Sequence, residues 1–418
     1  MPAENNRVIV IGGGPAGMMA AHSALQEGAD VVLLEKNEKL GKKLYITGKG
    51  RCNVTNAGET EELMQSFPRN GRFLYAALRS FSPADLQAAL ASLGCPTKVE
   101  RGKRVYPVSE KASDVTRALQ RGISGADIRL HSVVQALVIE NQQITGVLLD
   151  DGRFLPCRAV IVATGGLSYQ VTGSTGDGYR FAHESGHRLQ DRYPSLVPIE
   201  LDDDWAKSLQ GLSLKNITLT LHIDGKKKFA DQGELLFTHF GISGPLSLSA
   251  SCHLAGIDAQ RVRLTLNMKP ALTQQTLIAR LTKDLQENGR KMLKSIMPGY
   301  LPHAMAELFP AIAGVEDTKF CNQITAQERE KLASALQSIP LRFTSLRSFQ
   351  EAVVTRGGVD VKDINPSSMA SKHVKGLYFA GEVLDVDGYT GGFNLQIAFS
   401  TGFLAGMSAA EYINNQQS

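Results

Sequence analysis

Cysteine is sparse and scattered. The 418 residues hold five, at 52, 95, 157, 252 and 321, with no Cys-x-x-Cys. That spacing excludes a redox disulfide motif and a cysteine-rich zinc site, and it fits a reducing cytosol, so a cytoplasmic location is expected. No group of ligand-type residues has metal-binding spacing, so no metal is expected, and no Ser-His-Asp pattern has supporting context. An excess of one charge is also missing: 45 Lys and Arg face 41 Asp and Glu, for a net charge of +4. Without a long basic block, nucleic acid is not expected as a main partner. The run Lys226-Lys227-Lys228 follows Asp224-Gly225 and reads as a solvated hairpin tip. Met1 to Asn6 lacks the apolar stretch of a signal peptide, and there is no low-complexity tract or strong internal repeat.

Glycine, by contrast, is plentiful at 40 residues, and its placement carries the information. Arg7-Val8-Ile9-Val10-Ile11 runs into Gly12-Gly13-Gly14-Pro15-Ala16-Gly17. Four apolar residues in a row suit a parallel strand buried on both faces. Gly12 permits the tight turn, Gly14 lets a pyrophosphate approach the backbone, and Gly17 lets the next helix pack on the strand. That helix is expected from Pro15 to Glu27. Proline suits its first turn, its amides and dipole favour phosphate, and Gly28 is placed to end it. Asp30–Leu34 reads as the second strand, and Glu35 then stands about 20 residues beyond the glycines, where a carboxylate accepts hydrogen bonds from a ribose diol. Val160-Ile161-Val162 ends in Ala163-Thr164-Gly165-Gly166, and Leu377-Tyr378-Phe379 ends in Ala380-Gly381-Glu382; small residues there allow close approach to a ligand. Glu382 and Asp385 are suited to ribityl hydroxyls. Gly391-Gly392-Phe393-Asn394 opens a helix to about residue 413, whose N-terminus would steady a reduced flavin. Its Asn394, Gln396, Ser400 and Thr401 argue against a membrane span. Three distant segments thus describe an extended dinucleotide site, with FAD the expected ligand.

Between these segments, Lys39 to Asn56 has the Gly, Lys and Asn content of a ligand-wrapping loop, able to meet the pyrophosphate or the flavin's polar edge; a solvated basic loop is the alternative. Ser82-Pro83-Ala84-Asp85 is a capping box opening a helix that ends near Gly94. A helix over 113–121 follows, then strands near 127–130, 133–140 and 144–149 as a meander. Thr172 to Tyr179 opens another helix. Segments 215–223, 226–230, 234–237 and 261–267 read as antiparallel strands. Residues 272–340 read as helical, with Thr325-Ala326-Gln327-Glu328 as an N-cap signature. At this length two or three domains are expected: a dinucleotide fold over 1–194 and 345–418, interrupted by an insert over 195–344, β-rich to 271 and helical from 272 to 340.

Three stretches resemble the YhiN/BaiN-like flavoproteins, which include aminoacetone-oxidase-like enzymes. They are Gly41-Lys42-Lys43 with Thr47-Gly48-Lys49-Gly50-Arg51-Cys52-Asn53-Val54-Thr55-Asn56; Gly233 to Pro245, containing Phe237-Thr238-His239-Phe240-Gly241; and Gly381 to Asn394. The resemblance covers nearly the whole chain. It implies an α/β fold: a glutathione-reductase-like FAD/NAD(P)-binding Rossmann domain in two sequence pieces, with an inserted β-barrel-like domain carrying a helical subdomain. It also implies that the loop from Thr47 to Asn56 lies against the flavin. Lys49 departs from the family, where glycine is common. The candidate cofactor-binding set is therefore Gly12, Gly14, Pro15, Ala16 and Gly17; Glu35 and Lys36; Lys42, Lys43, Leu44, Thr47, Gly50, Arg51, Cys52 and Asn53; Val134; Ala163, Thr164 and Gly165; and Gly381, Glu382, Asp385, Gly391, Gly392, Phe393, Asn394, Leu395 and Gln396.

For catalysis the candidates are His239, Arg104 and Tyr389. A histidine titrates near neutrality, so His239 is suited to orienting substrate or moving a proton; the simpler reading has it hydrogen-bonded at a domain junction. Arg104 and Tyr389 are suited to the flavin cavity, with packing as the alternative. The expected function is an FAD-dependent oxidoreductase passing hydride between a small organic substrate and flavin. One variant is an NAD(P)H-dependent reductase of an activated C=C bond. The others are an amine oxidase producing hydrogen peroxide and a non-catalytic FAD- or RNA-binding module. Only one Gly-x-Gly-x-x-Gly has a strand-turn-helix context, so no separate tight nicotinamide site is expected.

Overall fold

The computed structural model describes residues 7–416; the expectation for Met1 to Asn6 lies outside the described residues. Arg7–Ile11 is a strand with four of its five residues buried. A strand with no polar face is stable only with neighbours along both edges and layers over both faces. It has both: Val8 pairs in parallel with Ala159 on one side and with Val31 on the other. The result is a five-stranded sheet in the order 377–379, 159–162, 7–11, 30–34, 127–129. Asp127–Arg129, expected to start a meander, instead pairs in parallel with 32–34 at the sheet edge. Its alternating charges, with Arg129 donating to Asp127 at 2.7 Å, suit an exposed edge. The antiparallel meander is built from 134–140, 143–149 and 154–156.

The first helix, Pro15–Gln26, carries proline at its first turn and ends before Gly28 at φ +81°. The C-terminal helix, Phe393–Asn415, crosses it with backbones in contact. A Cβ at Gly402 or Gly406 would overlap the carbonyl oxygens of Ala16 and Ala20, and Ser23 Oγ donates to the Phe403 carbonyl at 2.8 Å. This close packing fixes the register of the long helix and hence the position of its first turn. Ser82 and Thr325 both cap their helices through complete capping boxes. The helix expected from Thr172 begins only at Asp177, because Gly173 and Gly176 adopt φ of +102° and +90° and hold the preceding residues in a loop.

The chain forms two compact units: residues up to Ser195 together with those from Ser348 onward, and Leu196–Arg347. Besides the parallel sheet, the first holds an antiparallel ribbon of 189–195 with 354–359, and a small sheet of 55–56, 104–107 and 97–100. The second is a seven-stranded antiparallel sheet in the order 339–341, 262–267, 213–223, 226–238, 241–243, 199–201, 343–346. Its two edge strands are separated by Arg342 alone, so the sheet must curl until its edges meet, as a barrel does. Segments 226–230 and 234–237, expected as separate strands, form one strand, Lys226–Thr238. A register shift opposite 214–217 lets it bend without breaking. Helices 274–287, 303–312 and 326–337 stand between its strands in sequence.

Candidate functional site

Open, mostly parallel α/β sheets place ligands beyond the carboxyl ends of their strands. A cleft of about 1310 Å³, counting its open mouth, lies there in the first unit. Ile11, Leu34, Ala163 and Ala380, which end or follow four of the five strands, all line it.

The three glycines of the first turn divide their tasks. Gly12 has φ +104°, and a Cβ there would stand 2.6 Å from the Ala163 carbonyl oxygen, so the turn needs glycine to fit against the neighbouring strand end. A Cβ at Gly17 would overlap the Gly12 carbonyl oxygen, so that glycine serves helix packing. A Cβ at Gly14 would meet nothing within 4 Å, and Gly14 lines the cleft. It is also the N-cap of the first helix and no side chain caps it, which leaves amides of the first turn available to an anion.

Glu35 is buried and lines the cleft. Its carboxylate accepts from the Gly13 amide at 2.7 Å and from the Asn37 amide and Nδ2 at 2.8 and 2.7 Å. It therefore ties the glycine turn to the loop that follows the second strand, a structural task that spacing alone did not reveal. Lys36 donates to Thr175 and Asp177 at 2.5 and 2.6 Å, and Asn37 Nδ2 donates to the Thr172 carbonyl at 3.1 Å. The 172–177 loop is thus clamped over the cleft. Lys42 turns to Glu38 at 3.1 Å. Lys43 reaches Glu382, 339 residues away, at 2.8 Å, and Ser168 Oγ at 2.6 Å.

Of the cofactor candidates, Gly12, Gly14, Pro15, Ala16, Glu35, Lys36, Lys42, Lys43, Leu44, Thr47, Val134, Ala163, Thr164, Gly165, Glu382, Asn394 and Leu395 line the cleft. The rest fall outside its lining, and the contacts of most are structural. Arg51 pairs with Glu100 and Glu110 at 2.6 and 3.1 Å and lies 4.1 Å over the Tyr106 ring. Cys52 is fully buried, and burial pushes its thiol up to about 12. The Asn53 Oδ1 is buried with no partner among the described residues. Gly50 sits at φ +86° with open space beside it. Gly381 donates its amide to Thr401 Oγ1 at 2.9 Å. Asp385 is buried against Arg69 and Asn70 at 3.0 and 2.9 Å, and burial raises its pKa. Gly392 packs on the Thr55 carbonyl and Gly391 adopts φ +134°. Phe393 meets Phe67 edge to face at 6.2 Å. Gln396 is fully buried, accepting from Thr55 at 2.6 Å and donating to the Phe81 carbonyl at 3.0 Å.

The catalytic candidates do not converge on this lining. Arg104 lies in the small sheet, paired with Glu100 and Asn56. Tyr389 donates its backbone amide to the Ser66 carbonyl at 3.0 Å. His239 belongs to the second unit, exposed on the turn after 226–238, its ring edge-on to Phe240 at 5.0 Å. Lining residues that sequence reasoning missed include Asn37, Gly41, Ser132, Thr172, Gly173, Asp177, Val353 and Val354. Thr172 and Gly173 belong to a run, Thr-Gly-Ser-Thr-Gly, with the same small-residue signal used elsewhere; Val353 and Val354 carry no such mark.

A solved structure of 3-ketosteroid delta1-dehydrogenase from Sterolibacterium denitrificans is similar in fold, with a TM-score of 0.53 and 15% identity over 97% of this chain and 100% of that one. In sequence, the chain is 30% identical to a 3-dehydro-bile acid delta(4,6)-reductase of Clostridium scindens, over 97% of this chain and 99% of the relative. It is also 30% identical to a ribosomal RNA dihydrouridine synthase of Haemophilus influenzae, over 96% and 97%. The model of the HI0933-like protein Rossmann domain matches residues 6–408, and the chain belongs to that family.

Proposed function

We propose that this member of a family of FAD-dependent oxidoreductases is a reductase that saturates a C=C bond conjugated to a carbonyl in a small organic molecule. One observation carries the reading: the glycine turn opens into the cleft at Gly14, near the Glu35 carboxylate, on a chain similar over its full length to relatives named as a delta(4,6)-reductase and a dihydrouridine synthase. The residues present fit FAD. Gly14 leaves the space that a diphosphate needs, and uncapped amides at the helix start favour its charge. Glu35 has about one of its four lone-pair sites left for a ribose hydroxyl after accepting its three protein donors. When bound, FAD supplies hydride acceptance and donation. Lys43, Thr47, Glu382 and Asn394 supply the polar edges of the remaining lining, and Leu44, Val353, Val354 and Leu395 its apolar surface.

The sheet of the second unit is antiparallel in every pairing, so it offers no parallel strand-helix-strand unit for a second nucleotide. A nicotinamide donor therefore enters the same cleft as the substrate, in alternation with it. The Haemophilus influenzae relative favours a second reading, in which the conjugated bond is that of a uracil in ribosomal RNA. The protein loaded with FAD is mixed anaerobically with NADPH, then with a 3-oxo-4,6-diene steroid, a uridine-containing ribosomal RNA transcript, or oxygen. Reoxidation by the steroid with gain of two hydrogens in the product is the expected result. Reoxidation by the transcript selects the second reading. Reoxidation by oxygen alone, with hydrogen peroxide formed, refutes both, and a colourless protein that takes up no FAD removes the flavin reading itself.

A further inference from the structure

Three lysines line the cleft, and they are held differently. Lys36 is paired with Asp177 and Lys42 with Glu38. The Lys43 ammonium donates to Ser168 Oγ at 2.6 Å and to Glu382 Oε2 at 2.8 Å. An ammonium has three protons to donate, so one is left for a ligand. Lys43 and Glu382 keep about one-fifth of their side-chain surface exposed, 20% each, and both line the cleft.

The pair is rigidly built. Glu382 Oε1 also accepts from the Thr355 amide at 2.9 Å and from Ser168 Oγ at 3.0 Å. Thr355 Oγ1 in turn accepts from the Leu167 amide at 2.7 Å. A Cβ at Gly166 would stand 2.9 Å from Glu382 Oε1 and would crowd Thr355 Oγ1, so glycine is required for this packing. The next residue after Ser168, Tyr169, is held at φ +54°, a conformation a bulky residue adopts only when its surroundings impose it. Its ring lies 6.0 Å from the Lys43 ammonium. Four separate stretches of chain thus fix one cation and one anion on the cleft wall.

Resting on the reading of the cleft as an FAD site, we propose that the Lys43–Ser168–Glu382 network sets the reduction potential of the bound cofactor, Lys43 raising it and Glu382 restraining it. The physical ground is charge. A hydride from a nicotinamide-class donor brings two electrons and one proton, so the neutral oxidised ring gains one negative charge. A fixed ammonium in a partly desolvated cleft favours that charge, and a fixed carboxylate disfavours it. Ser168 and Thr355 position the pair without carrying charge themselves.

Potentiometry against a reference dye tests this on the FAD-loaded protein. Lys43→Met lowers the ratio of reduced to oxidised cofactor at a given potential about tenfold, close to 30 mV for a two-electron couple. Glu382→Gln shifts the potential the opposite way by a similar factor, and Lys43→Arg keeps it near the wild-type value. A merely structural network would give shifts of one sign or none. Equal weakening of oxidised and reduced FAD by Lys43→Met would place Lys43 at the diphosphate and overturn the proposal. Shifts of the same sign in the two charge variants would overturn it too. Lys43→Gln, which keeps an amide able to donate two hydrogen bonds without the charge, serves if the Met variant does not fold. A wild-type protein that binds no FAD refutes the underlying reading before any potential is measured, so the two failures are distinguishable.

Discussion

The glycine turn allows binding and folding to be separated by substitution. Gly14 has φ −78° and ψ −174°, extended backbone that any residue adopts, and a Cβ there meets nothing within 4 Å. The Cβ of Gly14→Val therefore meets no neighbour in the apoprotein. Its cost is the poorer N-cap that valine makes relative to glycine, about 1 kcal/mol. In the cleft, however, three added carbons occupy the space that a diphosphate needs. A loss of FAD affinity of at least about a hundredfold, roughly 2.7 kcal/mol, is expected. Gly17→Ala behaves in reverse, because its single methyl overlaps the Gly12 carbonyl oxygen. Forcing a methyl into backbone costs about 1–3 kcal/mol or more of stability. Urea midpoints of the two apoproteins, followed by FAD titration of each, measure both quantities. Full FAD occupancy in Gly14→Val, or a midpoint as low as that of Gly17→Ala, would refute the assignment of Gly14 to the cleft and Gly17 to packing.

Glu35→Ala should lower apoprotein stability as well as FAD affinity, because the Gly13 and Asn37 amides both lose their acceptor; each unsatisfied buried donor costs about 1–3 kcal/mol, and an unchanged urea midpoint would contradict this. Stability should also fall in mild acid. His187 is buried beside Ser185, Ser371 and His373, and burial, reinforced by His373, lowers its pKa from 6.5 to about 4. Between those values the unfolded chain binds a proton that the native protein does not, so stability is complete above about pH 6.5 and declines as pH falls toward 4, by at most about 3 kcal/mol; His187→Gln should flatten that slope in urea melts at stepped pH. NADP⁺ should inhibit competitively against substrate rather than bind tightly at a site of its own, and a tight complex on FAD-loaded protein that substrate does not displace would show that the insert binds nucleotide.

Much of the parallel sheet was legible because its strands are written as uninterrupted apolar runs. Val8 to Ile11, Val31 to Leu34 and Val160 to Val162 permit no half-exposed placement, and the turns between them carry glycine where φ or close approach requires it. Asp127–Arg129 was misassigned for the opposite reason. Three residues with alternating charge have no period to read, and only pairing with Val32–Leu34 makes them a strand. Strand Lys226–Thr238 was split because Asp231, Gln232, Gly233 and Glu234 interrupt its apolar pattern, and nothing local reports that Leu219 and Ile217 opposite keep it continuous.

The site was legible where the backbone itself makes the wall. Gly12, Gly14, Ala163 and Gly165 all line the cleft, and smallness is visible in sequence. Side chains were read less well, since a carboxylate or amide of the right type does not say which way it faces. Asp385 and Glu382 stand three residues apart, and both were read as ligands for ribityl hydroxyls. The short turn Gly381–Val383 sends one into the cleft and the other into the core against Arg69. Gln396 follows Asn394 and Leu395, which line the cleft, yet the helix turns it inward to Thr55 and Phe81. A helical step of about 100° per residue decides between ligand and scaffold, and the phase is fixed by Gly402 and Gly406 pressing on the first helix. The position of polar groups at that end of the cleft is therefore set by a small-residue helix crossing two and three turns away, which no local motif records.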